Sequence, residues 1–223
     1  ALGLPDYYDY DSSVGARGGV GGLDMMHGNW GDHNCFSKWM LDWITPTYVP
    51  FCQTALSLKA SGEYPDAVMV LPGAGGGDLF SEYFMVQNRY RAGNDDSAQM
   101  PGNGLIIWHV DAALNSWGTD FQYDNSYTEH KLLRLMEADG LEEIESGGVA
   151  DAGDYYLGGD EFGPDTIPGS RLYSGAASGV RVANISTVSA QMTASAGTAE
   201  ICWSADGSDL ALLIADYGRV GCS

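Results

Sequence analysis

The apolar positions of this chain change their period along its length. Phe36, Trp39, Met40 and Trp43 recur three and four residues apart behind Asn34, a residue suited to capping. The spacing predicts a short amphipathic helix over 35–43, stopped by Thr45-Pro46. Beyond it the period becomes two. Strands are predicted over 55–60, 67–71, 82–89, 104–111, 132–137, 171–173, 179–185 and 188–194, divided by segments rich in Gly, Pro, Asn and Asp. The clearest two read EYFMVQNR and GLIIWHVD. No helical crossover separates the strands, so the expected class is α+β: one short helix, then a mainly antiparallel β region from about residue 55 to 195. Residues 7–22 read as loop. The glycine-rich run 72–78 is not a phosphate loop, because it lacks the G-K-[ST] ending and any basic residue.

Charge narrows the partners. Ten basic residues stand against thirty acidic ones, a net charge of −20 that argues against nucleic acid and anionic membranes. Apolar runs such as 104–110 fall far short of the roughly 20 residues a membrane helix needs, so no membrane insertion is expected. The 223 residues suffice for one domain with a real core and a small appendage. The 31 glycines show no fixed period, which argues against a repeat array. Cys35, Cys52, Cys202 and Cys222 form two sequence-local pairs without C-x-x-C spacing. In an oxidising compartment Cys35–Cys52 and Cys202–Cys222 are the natural disulfides, with the other connectivities open.

Two stretches carry candidate chemistry. Over 151–165 the chain reads DAGDYYLGGDEFGPD, setting Asp151, Asp154, Asp160, Glu161 and Asp165 in a glycine-rich loop. Hard oxygens on a flexible loop suit calcium, although the spacing is not that of an EF-hand; a solvated acidic loop is the competing reading. His109 and Asp111 lie two apart on a strand and therefore share a face. A histidine on a buried strand is more often a satisfied core residue than a ligand. His27 and His33, in a loop of Gly, Asp and Asn, receive no role.

Several segments, in order, resemble one family. The chain opens Ala1-Leu2-Gly3-Leu4-Pro5-Asp6, continues through Leu23-Asp24-Met25-Met26-His27-Gly28-Asn29-Trp30, and carries Asp42-Trp43-Ile44-Thr45-Pro46. It then has EYFMVQNR, MPGNGLIIWHVD and Gly179-Val180-Arg181-Val182-Ala183-Asn184-Ile185-Ser186. Together these are similar to the immune inhibitor A-type secreted zinc peptidases of bacteria (peptidase family M-six), over roughly residues 1–195. The central block matches almost position for position. Leu23 stands where the family has Trp, and Gln87 where it has Glu.

The resemblance implies a metzincin-like zinc peptidase, in which an HExxH helix ends at a glycine and a third zinc ligand follows. A histidine directly before Ala1 would complete H-x-x-G-x-x-D, with Asp6 as that ligand. Met26 would form the apolar floor of the site in a Met turn, with Met25 the rival. His109 is not implied as a ligand. None of His27, His33, His109 and His130 belongs to an HExxH, so the catalytic Glu and two His ligands are expected upstream and this chain alone is expected to be inactive. Residues 1–54 would be the lower part of the peptidase domain, with metal-site turn, Met turn and helix. Residues 55–197 would be its β-rich remainder, and 198–223 a tail or further module. The parent would be a secreted endopeptidase acting on proteins or peptides, with zinc as cofactor; calcium is suggested by the acidic loop 151–165 alone. A non-catalytic extracellular β-rich module binding calcium or carbohydrate is the alternative.

Overall fold

The computed structural model describes residues 3–11, 13, 19–28, 30–49, 52–72, 79–126 and 129–198. Helix α1 spans Cys35–Met40 and is followed by strands β1 (Thr47–Val49), β2 (Thr54–Lys59), β3 (Val68–Val70), β4 (Glu82–Arg89), β5 (Gly104–Asp111), β6 (Leu133–Leu135), β7 (Arg181–Ala183) and β8 (Gln191–Gly197). They form a five-stranded sheet in the order β1-β3-β4-β5-β6 and a three-stranded sheet in the order β2-β8-β7. The α+β class, mostly β with few helices, is as expected. All strand pairings in these sheets are antiparallel except β1 with β3. That parallel pair needs a crossover, and β2 provides it by running in the other sheet.

The alternation of side chains along the strands builds two cores. Met69, Tyr83, Met85, Ile106, Trp108 and Val110 point to one face of the large sheet and pack with Phe36 of α1 and with Tyr7, Val20 and Leu23. Their neighbours Val68, Val70, Phe84, Val86, Leu105 and Ile107 point to the opposite face, against Leu56, Leu58, Val182, Met192 and Ala194 of the small sheet. Strands β4 and β5 are covered on both sides, which is why β5 is buried along its whole length. The first core joins residues from Tyr7 to Tyr155, so the lower part and the β-rich remainder share one interior.

Some local expectations change. The helix ends at Met40 rather than residue 43. Asp42 takes a left-handed conformation (φ +57°), with the Trp43 N–H bonded to the Lys38 carbonyl and the Asp42 N–H to that of Trp39. That Schellman closure stops the helix before Thr45-Pro46 is reached. Strand β1 was not legible, and residues 171–173 make only an isolated bridge, Arg171 to Ala177.

The Cys35–Cys52 pairing is overturned. Cys35 is a free, buried thiol, whereas Cys52 is disulfide-bonded. The reason lies in α1: Cys35 is its first residue, its N–H donates to Gln87 Oε1 at 2.6 Å, and its side chain belongs to the core. Cys202, Cys222 and the rest of 199–223 lie outside the described residues.

Candidate functional site

The opening stretch meets the methionine turn. Gly3 adopts φ +76°, the left-handed conformation that a turn with glycine at that place requires. Two anchors then fix the chain: the Tyr7 N–H donates to the Met26 carbonyl at 3.3 Å, and the buried Tyr7 hydroxyl meets Ser37 Oγ of α1 at 2.8 Å. Asp6 is therefore carried next to the backbone of Met26. Its carboxylate is exposed and accepts a hydrogen bond from the Tyr8 hydroxyl at 3.1 Å. Met26 is partly buried against the first core, and Met25 is exposed.

Asp24 shapes the methionine turn. Its Oδ1 accepts the Met26 N–H at 2.7 Å, and its Oδ2 accepts both the N–H and the Nδ2 of Asn34 at 2.6 Å. Asn34 in turn caps α1 by accepting the Ser37 N–H. Arg89, fully buried, forks onto Asp95 at 2.6 and 2.7 Å and donates from Nη1 to the Leu23 carbonyl at 2.8 Å. Burial works against its charge, but Asp95 overrides this and holds the guanidinium's pKa above its usual value. Gln87 ties the same region together, accepting from Cys35 N–H and Trp108 Nε1 and donating to Ser61 Oγ. Sequence reasoning passed over Asp24, Arg89 and Asp95; a buried polar group inside an apolar strand, as in Gln87-Asn88-Arg89, was the available signal.

The four histidines are engaged elsewhere. His27 Nδ1 accepts the N–H groups of Val20 and Gly22, and His33 is buried beside Asp24. His109 Nε2 meets Glu82 Oε1, and His130 Nε2 meets Asp111 Oδ2, each at 2.7 Å. Between the two histidine rings lies Tyr173, with ring centroids 4.3 and 4.1 Å away, and Phe84 and Tyr123 extend the stack at its ends. This ladder fastens Tyr123, His130 and Tyr173 to Phe84 of β4 and His109 of β5.

The acidic loop divides. Asp151 and Asp154 come together in a single 3₁₀ turn, Ala152–Asp154, as a reciprocal capping pair. Asp160 accepts its own loop's Leu157 N–H, Glu161 pairs with Arg181, and Asp165 is an exposed turn residue. Instead, Glu137, Asp139 and Glu143 gather next to the Asp151–Asp154 turn, with one carboxylate oxygen from each within 4.8 Å of the others. Burial, then the charge of Asp154, pushes Glu137 up to about 7; burial, then Asp151, Asp139 and Glu143, does the same to Asp154. Compared with known protein families, curated proteins and solved structures, the chain matches none.

Proposed function

We propose that this chain is the downstream part of the catalytic domain of a secreted, zinc-dependent endopeptidase of the immune inhibitor A type. The observation that supports the reading is the bond from Tyr7 N–H to the Met26 carbonyl, which brings the backbone adjoining Asp6 to the methionine turn. Left-handed Gly3 supports it, since that turn is where the family's metal helix would end. The disulfide at Cys52 supports an oxidising, extracellular setting.

The donor set fits zinc in part. Asp6 offers an exposed hard oxygen whose neighbour is a phenol, not a cation, so it is available as one ligand. His27, His109 and His130 are committed to backbone or carboxylate partners and His33 is buried beside Asp24, so in this reading two imidazole ligands and the general base would come from an upstream HExxH. When bound, zinc would polarise the scissile carbonyl and acidify a water. The work of this chain would be to present Asp6 from the anchor at Tyr7 and to supply the Met26 floor, with the methionine turn held by Asp24, Asn34 and Arg89.

The test is made in the zinc-bearing parent. Asp6→Ala should lower zinc content and proteolysis together, by about tenfold or more in zinc affinity. Met26→Leu should cost much less, because it changes packing and not coordination. An Asp6→Ala parent with full zinc and full activity would overturn the proposal.

A further inference from the structure

The cluster around Glu137 has no part in the zinc reading and stands independently of it. Five carboxylates from three separate segments meet there: Glu137 and Asp139 after β6, Glu143 at the following 3₁₀ turn, and Asp151 and Asp154. Their convergence is tight. A Cβ on Gly153 would stand 2.5 Å from Asp139 Oδ2 and 3.0 Å from Asp151 Oδ1, so glycine is the residue that lets these two carboxylates close on the turn. Glu143 and Asp151 lie within hydrogen-bonding reach of each other, and the charge weighing most on Glu137 is that of Asp154.

A second observation points to a ligand. Asp154 is 1% exposed, and while its Oδ2 accepts the Asp151 N–H at 2.7 Å, its Oδ1 is buried with no hydrogen-bond partner. A buried carboxylate oxygen left bare costs several times what a satisfied one does. The backbone meets part of the remaining demand: Glu137 Oε2 accepts the Glu143 N–H at 2.8 Å, and Asp139 Oδ1 the Leu141 N–H at 3.0 Å. These bonds hold the carboxylates in place and leave Asp154 Oδ1 without a partner.

We infer that Glu137, Asp139 and Glu143, backed by Asp151 and Asp154, form a calcium site that pins the 137–143 segment to the 151–154 turn. Three oxygens no more than 4.8 Å apart surround a common centre closely enough that small side-chain adjustments bring them to the roughly 2.3–2.6 Å that calcium takes. The set is entirely hard oxygen with neither His nor Cys, which disfavours zinc. It is also irregular and carboxylate-rich, whereas magnesium keeps several waters in a strict octahedron.

The experiment uses chain 1–223 stripped with chelator and titrated with Ca²⁺ or Mg²⁺ alone, by calorimetry and by thermal unfolding. One saturable Ca²⁺ site is expected, with Tm raised by about 5–10 °C at a hundredfold excess over Kd and a much smaller response to Mg²⁺. Asp139→Asn and Asp154→Asn should each weaken Ca²⁺ binding by about tenfold or more. Without calcium, Asp154→Asn should melt at or above the unsubstituted chain, because repulsion has been relieved; this separates lost binding from lost folding. Glu143→Gln, at a less buried position, gives the same answer should a core variant fail to fold. Asp165→Asn should leave affinity unchanged. Absence of saturable Ca²⁺ binding, full affinity in Asp154→Asn or Glu143→Gln, or equal weakening by Asp165→Asn would each overturn the site.

Discussion

The backbone N–H of Tyr7 donates to the carbonyl of Met26, nineteen positions along the chain by number, at 3.3 Å. Buried Tyr7 is what makes this contact durable, since its ring belongs to the first core and its hydroxyl meets Ser37 of α1. Asp6 on one side and Met26 on the other are thereby held in one neighbourhood while Asp6 stays exposed. Asp6 is thus an exposed carboxylate held in place by its buried neighbour.

Asp24 is expected to be the residue on which the methionine turn depends. It is 1% exposed and receives the N–H groups of Met26 and Asn34 as well as the Asn34 amide. Asp24→Ala would leave those donors buried without an acceptor, at a cost of about 3–5 kcal/mol. Chemical denaturation measures it; a loss below about 1 kcal/mol would show that the turn is held by packing alone.

Arg89 and Asp95 form a fully buried pair, and removing one partner strands the other. Arg89→Met should destabilise the chain by about 3–5 kcal/mol, because Asp95 is left as an uncompensated charge. The double variant Arg89→Met with Asp95→Leu should recover part of that loss in a double-mutant cycle. Strict additivity of the two single losses would deny the coupling.

Acidification should weaken the fold through two histidines. Burial, then Lys131, holds His27 below its ordinary value of 6.5; burial also lowers His109, against the opposing pull of Glu82. Both are therefore neutral in the folded chain, while the unfolded chain takes up protons near 6.5. Their contribution is fully present above that value and is lost as pH falls from it through the lower folded-state values. His109→Phe keeps a ring between Phe84 and Tyr173 but removes a titrating group, so its stability should fall less steeply on acidification than that of the unsubstituted chain. An equal slope would place the pH dependence elsewhere.

Cys35 should be inert until the chain unfolds. Burial pushes its thiol up to about 12, against the lowering influence of Lys38 and Arg89. At neutral pH an alkylating reagent should leave it unmodified in the native chain and label it fully in denaturant, as read by peptide mass spectrometry. Rapid native labelling would contradict its place in the core.

The strands were legible where the apolar pattern was strong. Residues 82–89 and 104–111 appear with the bounds their sequence suggested, because both are covered on two faces and read as continuous apolar runs. The three-residue β1 carried no such pattern, and the end of α1 was set by Asp42 in a left-handed conformation that its side chain does not announce. Site geometry was less legible. Asp6 and Met26 were paired through resemblance, and the Tyr7 bond joins their neighbourhoods through backbone atoms. The carboxylate cluster could not be seen as local spacing, since Glu137, Asp139 and Glu143 gather beside Asp151 and Asp154 only when separate turns come together. Nearest-neighbour reasoning failed for Cys35 for a similar reason: burial under α1 decides its state, not its distance in sequence from Cys52.

The central claim is that Asp6 is the third ligand of a zinc site whose other ligands precede this chain. Sequencing the coding DNA immediately upstream of the Ala1 codon tests it most directly. The account predicts an in-frame H-E-x-x-H whose second histidine is the residue directly before Ala1, completing H-x-x-G-x-x-D through Gly3 and Asp6. A start codon at that place, or an upstream segment with any other residue before Ala1, would contradict it.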